Sequence, residues 1–188
     1  MYEGWLTSWE NKDHGLPKGD IKWLKHDPEK GLFKKAEKYV KHTRRRRKTV
    51  RKRRRLKDRM WFDPPEIPGL IKNDLLNIDS FFHTSVFFWR PVGVWGYSIK
   101  CPRKNCPAAN KKNVYLYKCG YSKTVRYVVD LSRFYCMLTE VLACNECRKA
   151  SKNSSDHRIS RFQAWGSNII SQLAPCHQQM FPAILTPK

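Results

Sequence analysis

Residues 133–150 read RFYCMLTEVLACNECRKA, an apolar run that ends in two cysteines. The run is typical of a buried strand, and Cys144 and Cys147 have the C-x-x-C spacing at which one tight turn presents two thiols. A second pair, Cys101 and Cys106, lies upstream in the wider loop KCPRKNCP. The sequence therefore predicts that two distant loops bring four sulfur atoms together around one metal ion.

Zinc suits such a site because it prefers four ligands in a tetrahedron and binds thiolates well. We therefore predict a structural Zn2+ held by the four cysteines, with no position left for water or a substrate. Two alternatives remain open, namely disulfide bonds and ordinary buried thiols, since free cysteine is among the most buried residue types. Burial is the expected role of Cys119, Cys136 and Cys176. If the wider loop cannot close, the reserve ligands are Cys119, His157, Cys176 and His177.

The N-terminal sequence MYEGWLTSWENKDHG has no apolar run behind a basic start. No segment of the chain approaches the roughly 20 apolar residues that span a bilayer. We therefore expect an intracellular, soluble protein. Thiols stay reduced in such a compartment, which favours a bound metal over disulfide bonds.

The net charge of +22 is concentrated in a short part of the chain. Residues 41–59 contain thirteen Lys or Arg and one acid, whereas residues 1–40 are nearly balanced. A polycation of this density neutralises phosphates and releases counterions, so it attaches to nucleic acid with salt-sensitive and largely sequence-independent affinity. The candidate nucleic-acid-binding residues are Arg44, Arg45, Arg46, Arg47, Lys48, Arg51, Lys52, Arg53, Arg54, Arg55 and Lys57.

Two other roles for this basic segment remain open. Its two clusters, separated by Thr49 and Val50, are typical of a nuclear-import signal, which predicts a nuclear location. It also fits a solvated linker whose charge only aids solubility. Further phosphate contacts from the rest of the chain are expected from Arg90, Arg126, Arg133, Arg148 and Lys149.

The chain divides into three predicted segments. Residues 1–27 are expected to be irregular. Residues 28–59 form a basic arm that is helical or disordered, because Asp27 and Pro28 favour a helix start while the like charges that follow repel one another. The prolines of WFDPPEIPG end any helix and open the folded domain, residues 60–188.

Within residues 60–188, short strands are predicted in NVYLYKC, TVRYVVDL and RFYCMLTEVLAC, and short helices in SNIISQLAPCHQQMFP. We therefore predict an α+β fold: a small zinc-ribbon-like antiparallel β domain with short C-terminal helices, preceded by the basic arm. The aromatic residues before the first cysteine pair are expected to pack in the core, with a stacking platform for bases as the alternative. They are Phe81, Phe82, Phe87, Phe88, Trp89, Trp95 and Tyr97.

An ordered series of motifs runs through residues 60–188: a cysteine pair, K-C-G, R-x-V-x-D-L, a second cysteine pair and F-P-A-x-L-T. This series resembles a domain of unknown function that occurs in multiplied, uncharacterised animal proteins, especially of fish, and that is associated with mobile-element-derived genes. The resemblance implies two zinc-suited cysteine pairs and no assigned reaction. It carries the ligand role onto Cys101, Cys106, Cys144 and Cys147, although the first pair is wider here than in the family.

These features together favour a nuclear zinc-binding protein that attaches to DNA or RNA through the basic segment. One alternative is a protein-interaction module whose basic segment serves only a nuclear-import receptor. Another is an accessory fragment of a transposase-like or nuclease-like protein. We expect no enzyme and no small-molecule substrate, because the sequence has no evident nucleophile with a base, Gly-rich phosphate loop, paired carboxylates or H-E-x-x-H motif. We also expect no membrane partner, because no segment is apolar enough to span a bilayer.

Overall fold

The computed structural model of the protein describes residues 9, 15–35, 37–42, 48–53, 55–66, 83–131, 133–152 and 161–182, with the backbone alone for 37–42 and 48–53. In chain order the helices and strands are α1 (Lys18–His26), β1 (Glu37–His42), β2 (Lys48–Arg53), β3 (Trp61–Phe62), β4 (Ser85–Trp89), α2 (Pro91–Trp95), β5 (Tyr117–Tyr121), β6 (Arg126–Val129), β7 (Phe134–Ala143), α3 (Asn145–Lys152), β8 (Arg161–Gln163), α4 (Ser167–Ile170) and α5 (Pro175–Gln179). No helix within these ranges is long and apolar enough to cross a bilayer.

Strand β7 is the centre of a six-stranded sheet. Its first half pairs antiparallel with β6 and parallel with β4, and its second half pairs antiparallel with both β5 and β8. Strand β3 extends the sheet beyond β4. Almost every side chain of β7 is buried, as expected for a strand that has neighbours along both edges and cover on both faces.

The α+β class and the short C-terminal helices are confirmed, and the three predicted strands correspond to β5, β6 and β7. The sheet is not purely antiparallel, because β4 runs parallel to β7 from Ser85↔Tyr135 to Trp89↔Thr139. A long connection follows β4 and passes through α2 and the first cysteine loop. The chain then runs back in β5 and β6, both antiparallel to β7, so β7 has the direction of β4.

Each face of the sheet carries its own apolar core. Side chains alternate between the two faces along a strand, and in β4 this alternation places Phe87 and Trp89 in one cluster and Val86 and Phe88 in the other. The first cluster contains the cysteine loops and α4. The second cluster is covered by residues from the N-terminal part of the chain, namely Trp9, Leu16, Ile21, Trp23, Leu24, Leu32 and Phe33.

The expectation of irregular structure before residue 28 is wrong in part, because Lys18–His26 form helix α1. The helix predicted to begin at Pro28 is also wrong. Asp27 accepts hydrogen bonds from the N–H groups of Glu29 and Lys30, at 2.8 and 2.7 Å, but these close a turn that ends α1. The chain then doubles back onto α1, where the N–H of Leu32 donates to the carbonyl of Leu24 at 2.8 Å.

The basic segment forms a β-hairpin where the structure describes it. Strands β1 and β2 pair antiparallel from Glu37↔Arg53 to His42↔Lys48, so the predicted helix is wrong for both stretches. An isolated antiparallel bridge between Phe33 and Leu56 joins the two chain segments that lead into and out of the hairpin. Residues 43–47 and Arg54 lie outside the described residues.

The expectation that the aromatic residues pack in the core is confirmed for Phe87, Phe88 and Trp89, which are at most 1% exposed. Trp95 and Tyr97 are partly buried against the first core, which contains Phe87 and Trp89. Phe81 and Phe82 lie outside the described residues.

Candidate metal centre

The second cysteine pair lies where the central strand passes into a helix. Cys144 directly follows β7, and its carbonyl accepts a hydrogen bond from the N–H of Arg148 at 3.1 Å, which forms the first turn of α3. Cys147 lies in that turn. Both thiols therefore sit at a helix N-terminus, where backbone hydrogen bonds favour the thiolate of Cys144.

The first cysteine pair lies in a loop of consecutive turns. The N–H of Cys106 donates to the carbonyl of Arg103 at 3.3 Å, and the N–H of Ala108 donates to the sulfur of Cys106 at 3.4 Å. These bonds turn the chain back within the five steps that separate Cys101 from Cys106. The wide spacing therefore still places both sulfurs on one side of the loop.

The four sulfur atoms converge. All lie within 4.8 Å of one another, and the Sγ–Sγ distances are 3.7 Å for Cys101–Cys147, 3.8 Å for Cys106–Cys144 and 3.5 Å for Cys106–Cys147. Four thiolates at about 2.3 Å from one tetrahedral ion would be about 3.8 Å apart. A disulfide requires about 2.05 Å, and all four cysteines are free. The geometry therefore matches a metal site.

The four thiols differ in how readily they ionise. Burial opposes ionisation of Cys144, but hydrogen bonds from the backbone and thiol of Cys147 and from the thiol of Cys106 lower its pKa overall. Burial raises the pKa of Cys101 to about 11, and burial together with the neighbouring thiols raises the pKa of Cys147. Four thiolates this close repel one another, so full deprotonation requires a bound cation.

One salt bridge links the two cysteine loops. Lys111, which follows the first loop, donates to the carboxylate of Glu146 at 2.7 Å, and Lys149 donates to its other oxygen at 3.0 Å. The hydrogen bonds from Lys111 and Lys149 lower the pKa of Glu146 to about 2. Sequence reasoning missed this pair, because 35 residues separate Lys111 from Glu146 and neither lies in a recognisable motif.

The family model described as a domain of unknown function (DUF6729) matches residues 29–188. The chain belongs to this family. The match confirms the predicted resemblance to a domain of unknown function, while the predicted animal and mobile-element origin stays a prediction. Comparison with curated proteins and with solved structures gave no match. In this DUF6729 domain, both cysteine pairs and the basic hairpin fall within the matched range.

The other cysteines of the DUF6729 domain lie apart from the four-sulfur cluster within the described residues. Cys136 is buried in the second core, and burial raises its pKa to about 12. Cys119 is half-buried and Cys176 is exposed, so the expectation of burial is wrong for Cys176. His177 stacks on Trp95 with ring centroids 3.9 Å apart, which gives it a packing role. His157 lies outside the described residues.

Arg90 is 4% exposed, so the expectation that it contacts phosphate is wrong. Its guanidinium donates to the carbonyls of Lys57 and Arg59, at 2.5 and 2.9 Å. The buried guanidinium therefore ties the base of the hairpin to β4. The ammonium of Lys57 donates in turn to the carbonyls of Pro28 and Glu29.

The remaining basic candidates differ in their surroundings. The guanidinium of Arg133 lies 3.9 Å from the ring centre of Trp61, and that of Arg126 lies 4.3 Å from the ring centre of Trp165. Arg55 and Arg148 are exposed, and Lys149 takes part in the Glu146 pair already described. For Lys48, Arg51, Lys52 and Arg53 the structure gives the backbone position on β2 alone.

Proposed function

We propose that this protein attaches to nucleic acid in the nucleus, and that one structural zinc ion holds the fold that presents its basic hairpin. The observation that carries the zinc part is the convergence of four free thiols within 4.8 Å. Cys101, Cys106, Cys144 and Cys147 would hold the ion. When bound, zinc supplies charge compensation and cross-links the two loops.

Zinc is proposed over other ions because the donor set is entirely sulfur. Thiolates select zinc, copper(I) and iron–sulfur clusters, whereas magnesium and calcium prefer oxygen ligands. A single ion with four sulfurs about 3.8 Å apart matches tetrahedral zinc. The likeness to a zinc ribbon is proposed for the two cysteine loops, not for the six-stranded sheet.

Attachment to nucleic acid is proposed from charge. Thirteen Lys or Arg against one acid lie in residues 41–59, and the hairpin pairs part of this segment, β2, with β1, which carries Lys38 and Lys41. A hairpin concentrates the positive charge in about half the length of an extended chain. A compact polycation of this kind releases many counterions when it meets phosphates, which favours binding at low salt.

A binding role is proposed rather than catalysis. A closed site of four thiolates has no open position for water or substrate. The buried carboxylates of the described residues, Asp20 and Glu140, each accept hydrogen bonds from backbone N–H groups and act within the packed interior. Neither has the exposure that a general acid or base needs.

The zinc proposal is tested on the full chain by native mass spectrometry with metal analysis. We expect one zinc per chain, and we expect its loss when both Cys144 and Cys147 are replaced by Ser. The matched control replaces Cys119 and Cys176 by Ser, which should leave the zinc in place. A wild-type protein that folds without any metal would refute the structural role.

The nucleic-acid proposal is tested by fluorescence anisotropy with a labelled oligonucleotide. We expect affinity to fall steeply between about 50 and 200 mM salt, and the salt dependence to flatten when basic residues of the 41–59 segment are changed to Gln. The control changes Lys18 and Lys22 on α1 to Gln. If the neutralised segment leaves affinity unchanged, the segment does not bind nucleic acid, and nuclear import or solubility is its role.

A further inference from the structure

We propose that a groove on both sides of β8 binds single-stranded nucleic acid, with phosphates held by Arg126 and Arg161 and a base stacked on Phe162. This inference deepens the proposed function and rests on it. We call the site the β8 groove. Its lining includes Arg103, Lys123, Arg126, Arg161, Phe162 and Trp165.

The β8 groove consists of two cavities that share one wall. Cavities of about 530 and 490 Å3 are both lined by Arg161, Phe162 and Gln163, which are the three residues of β8. Each volume is in the range of sites that enclose a small ligand. Because the two cavities share this wall, they lie next to each other. Adjacent nucleotides of one strand could therefore occupy them.

The lining of the β8 groove is strongly basic. The first cavity brings together Arg103, Arg126 and Arg161, and the second adds Lys123. No Asp or Glu within the described ranges lines either cavity, whereas the cavity beside Arg90 includes Asp58. A lining with this excess of basic side chains favours an anionic occupant.

Two of the arginines lie over aromatic rings. The guanidinium carbon of Arg126 is 4.3 Å from the ring centre of Trp165, and that of Arg103 is 5.8 Å from the ring centre of Phe162. For Arg126 the cation–π contact uses the flat face of the guanidinium, so its N–H edge can point to a phosphate. The stack also orients the side chain before binding.

The aromatic wall distinguishes single strands from duplex. Phe162 is half-buried and belongs to both cavities, so a base that enters either one meets a ring. Bases of a duplex are already stacked on one another, whereas an exposed base gains about 1–3 kcal/mol from an aromatic platform. The combination of arginines and a half-buried phenyl ring shared by both cavities therefore favours an unpaired strand.

The metal centre and the β8 groove share a loop. Arg103 lies between Cys101 and Cys106, and Pro102 also lines the groove. Closing that loop around an ion fixes the position of Arg103. Binding of single strands is therefore expected to weaken when the metal is removed.

The proposal is tested by anisotropy on the full chain with a labelled thymidine strand of about 20 nucleotides, longer than most single-strand sites. Changing Arg126 and Arg161 to Gln should lower affinity about tenfold and reduce the slope of log affinity against log salt by about 1.4, or about 0.7 for each lost phosphate contact. The matched control changes Lys18 and Lys22 on α1 to Gln, an equal loss of charge on the other face of the sheet. Equal effects of the two double variants would overturn the proposal.

The base contact is tested separately. Phe162→Leu keeps an apolar side chain but removes the ring, and it should lower single-strand affinity about fivefold or more while leaving heparin, a polyanion without bases, unaffected. Phe134→Leu, at a half-exposed ring outside the groove, is the control. A parallel loss for heparin, or equal losses in both variants, would show that the groove does not read bases. Unchanged zinc content and melting temperature show that each variant is folded.

Photo-cross-linking of the wild-type chain covers the case in which Phe162→Leu fails to fold. A thymidine strand that carries bromouracil should cross-link to the peptide beginning at Phe162. Cross-links confined to residues 41–59 would overturn the groove and leave the proposed function standing. Absence of any oligonucleotide binding by the wild type would remove both.

Discussion

Glu140 is fully buried in the central strand, next to the start of α2. One carboxylate oxygen accepts hydrogen bonds from the N–H groups of Val92 and Gly93, at 2.7 and 3.3 Å. The other oxygen has no hydrogen-bond partner within the described residues. Burial raises the pKa of Glu140 above its ordinary value of 4.5, and hydrogen bonds from the two N–H groups offset part of the rise.

Replacing Glu140 by Gln should change how stability depends on pH. Because the folded pKa is raised, the native state holds a proton that the unfolded state has lost, so wild-type stability falls as pH rises from about 4.5 through the folded pKa. The free energy of unfolding of Glu140→Gln, measured relative to wild type, should therefore increase across this window. Urea unfolding at a series of pH values measures the difference. A difference that stays constant or moves the opposite way would contradict the prediction.

At the scale of single elements, the end of α1 depends on one glycine. A Cβ atom at Gly31 would lie 2.4 Å from the carbonyl oxygen of Asp27, 2.8 Å from that of Leu24 and 2.9 Å from that of Trp23. All three are backbone atoms, which cannot move without disturbing the helix end. The close approach lets Leu32 and Phe33 reach the second core.

Gly31→Ala is therefore expected to destabilise the protein by about 1–3 kcal/mol, the usual cost of forcing atoms into a packed site. Urea unfolding measures the loss. Lys22→Ala, at an exposed position of α1, serves as the control and should change stability by less than about 0.5 kcal/mol. If the two variants unfolded at the same urea concentration, the close approach at Gly31 would have no energetic weight.

The elements that the sequence predicted are those with a strong local signal. Strands β5 to β7 follow from β-branched and aromatic runs. The four-cysteine cluster follows from the C-x-x-C spacing of Cys144 and Cys147 and from the proline-containing loop of Cys101 and Cys106. The parallel pairing of β4 with β7 has no local signature. The sequence did not predict the hairpin of β1 and β2, because its like charges and its helix-start residues indicated a helical or disordered arm. Cross-strand pairs such as Val40↔Val50 form only in the folded chain.

At the scale of the whole molecule, the N-terminal segment supplies one side of the second core. The indole N–H of Trp9 donates to the carbonyl of Ser122 at 2.8 Å, and its ring meets the edge of Phe88 with centroids 6.1 Å apart. Trp9 is 1% exposed. The predicted boundary at residue 60 is thus crossed by this packing. The family match begins at residue 29, after Trp9 and α1.

A fragment of residues 29–188 should therefore be poorly folded despite covering the whole family match. It would lose Trp9 and the apolar side of α1. This loss would expose Phe62, Phe88 and Leu138, which lie on the second face of the sheet. We expect a dye that reports exposed apolar surface to bind the fragment, and we expect its unfolding to lose cooperativity. The stability of full-length Trp9→Ala should lie between that of the fragment and that of the wild type. Its free energy of unfolding should fall by about 3–5 kcal/mol, the usual cost of removing a large buried side chain. A fragment that unfolds cooperatively at the full-length midpoint and binds no dye would show that the first core and its four-cysteine cluster fold without the N-terminal part of the second core.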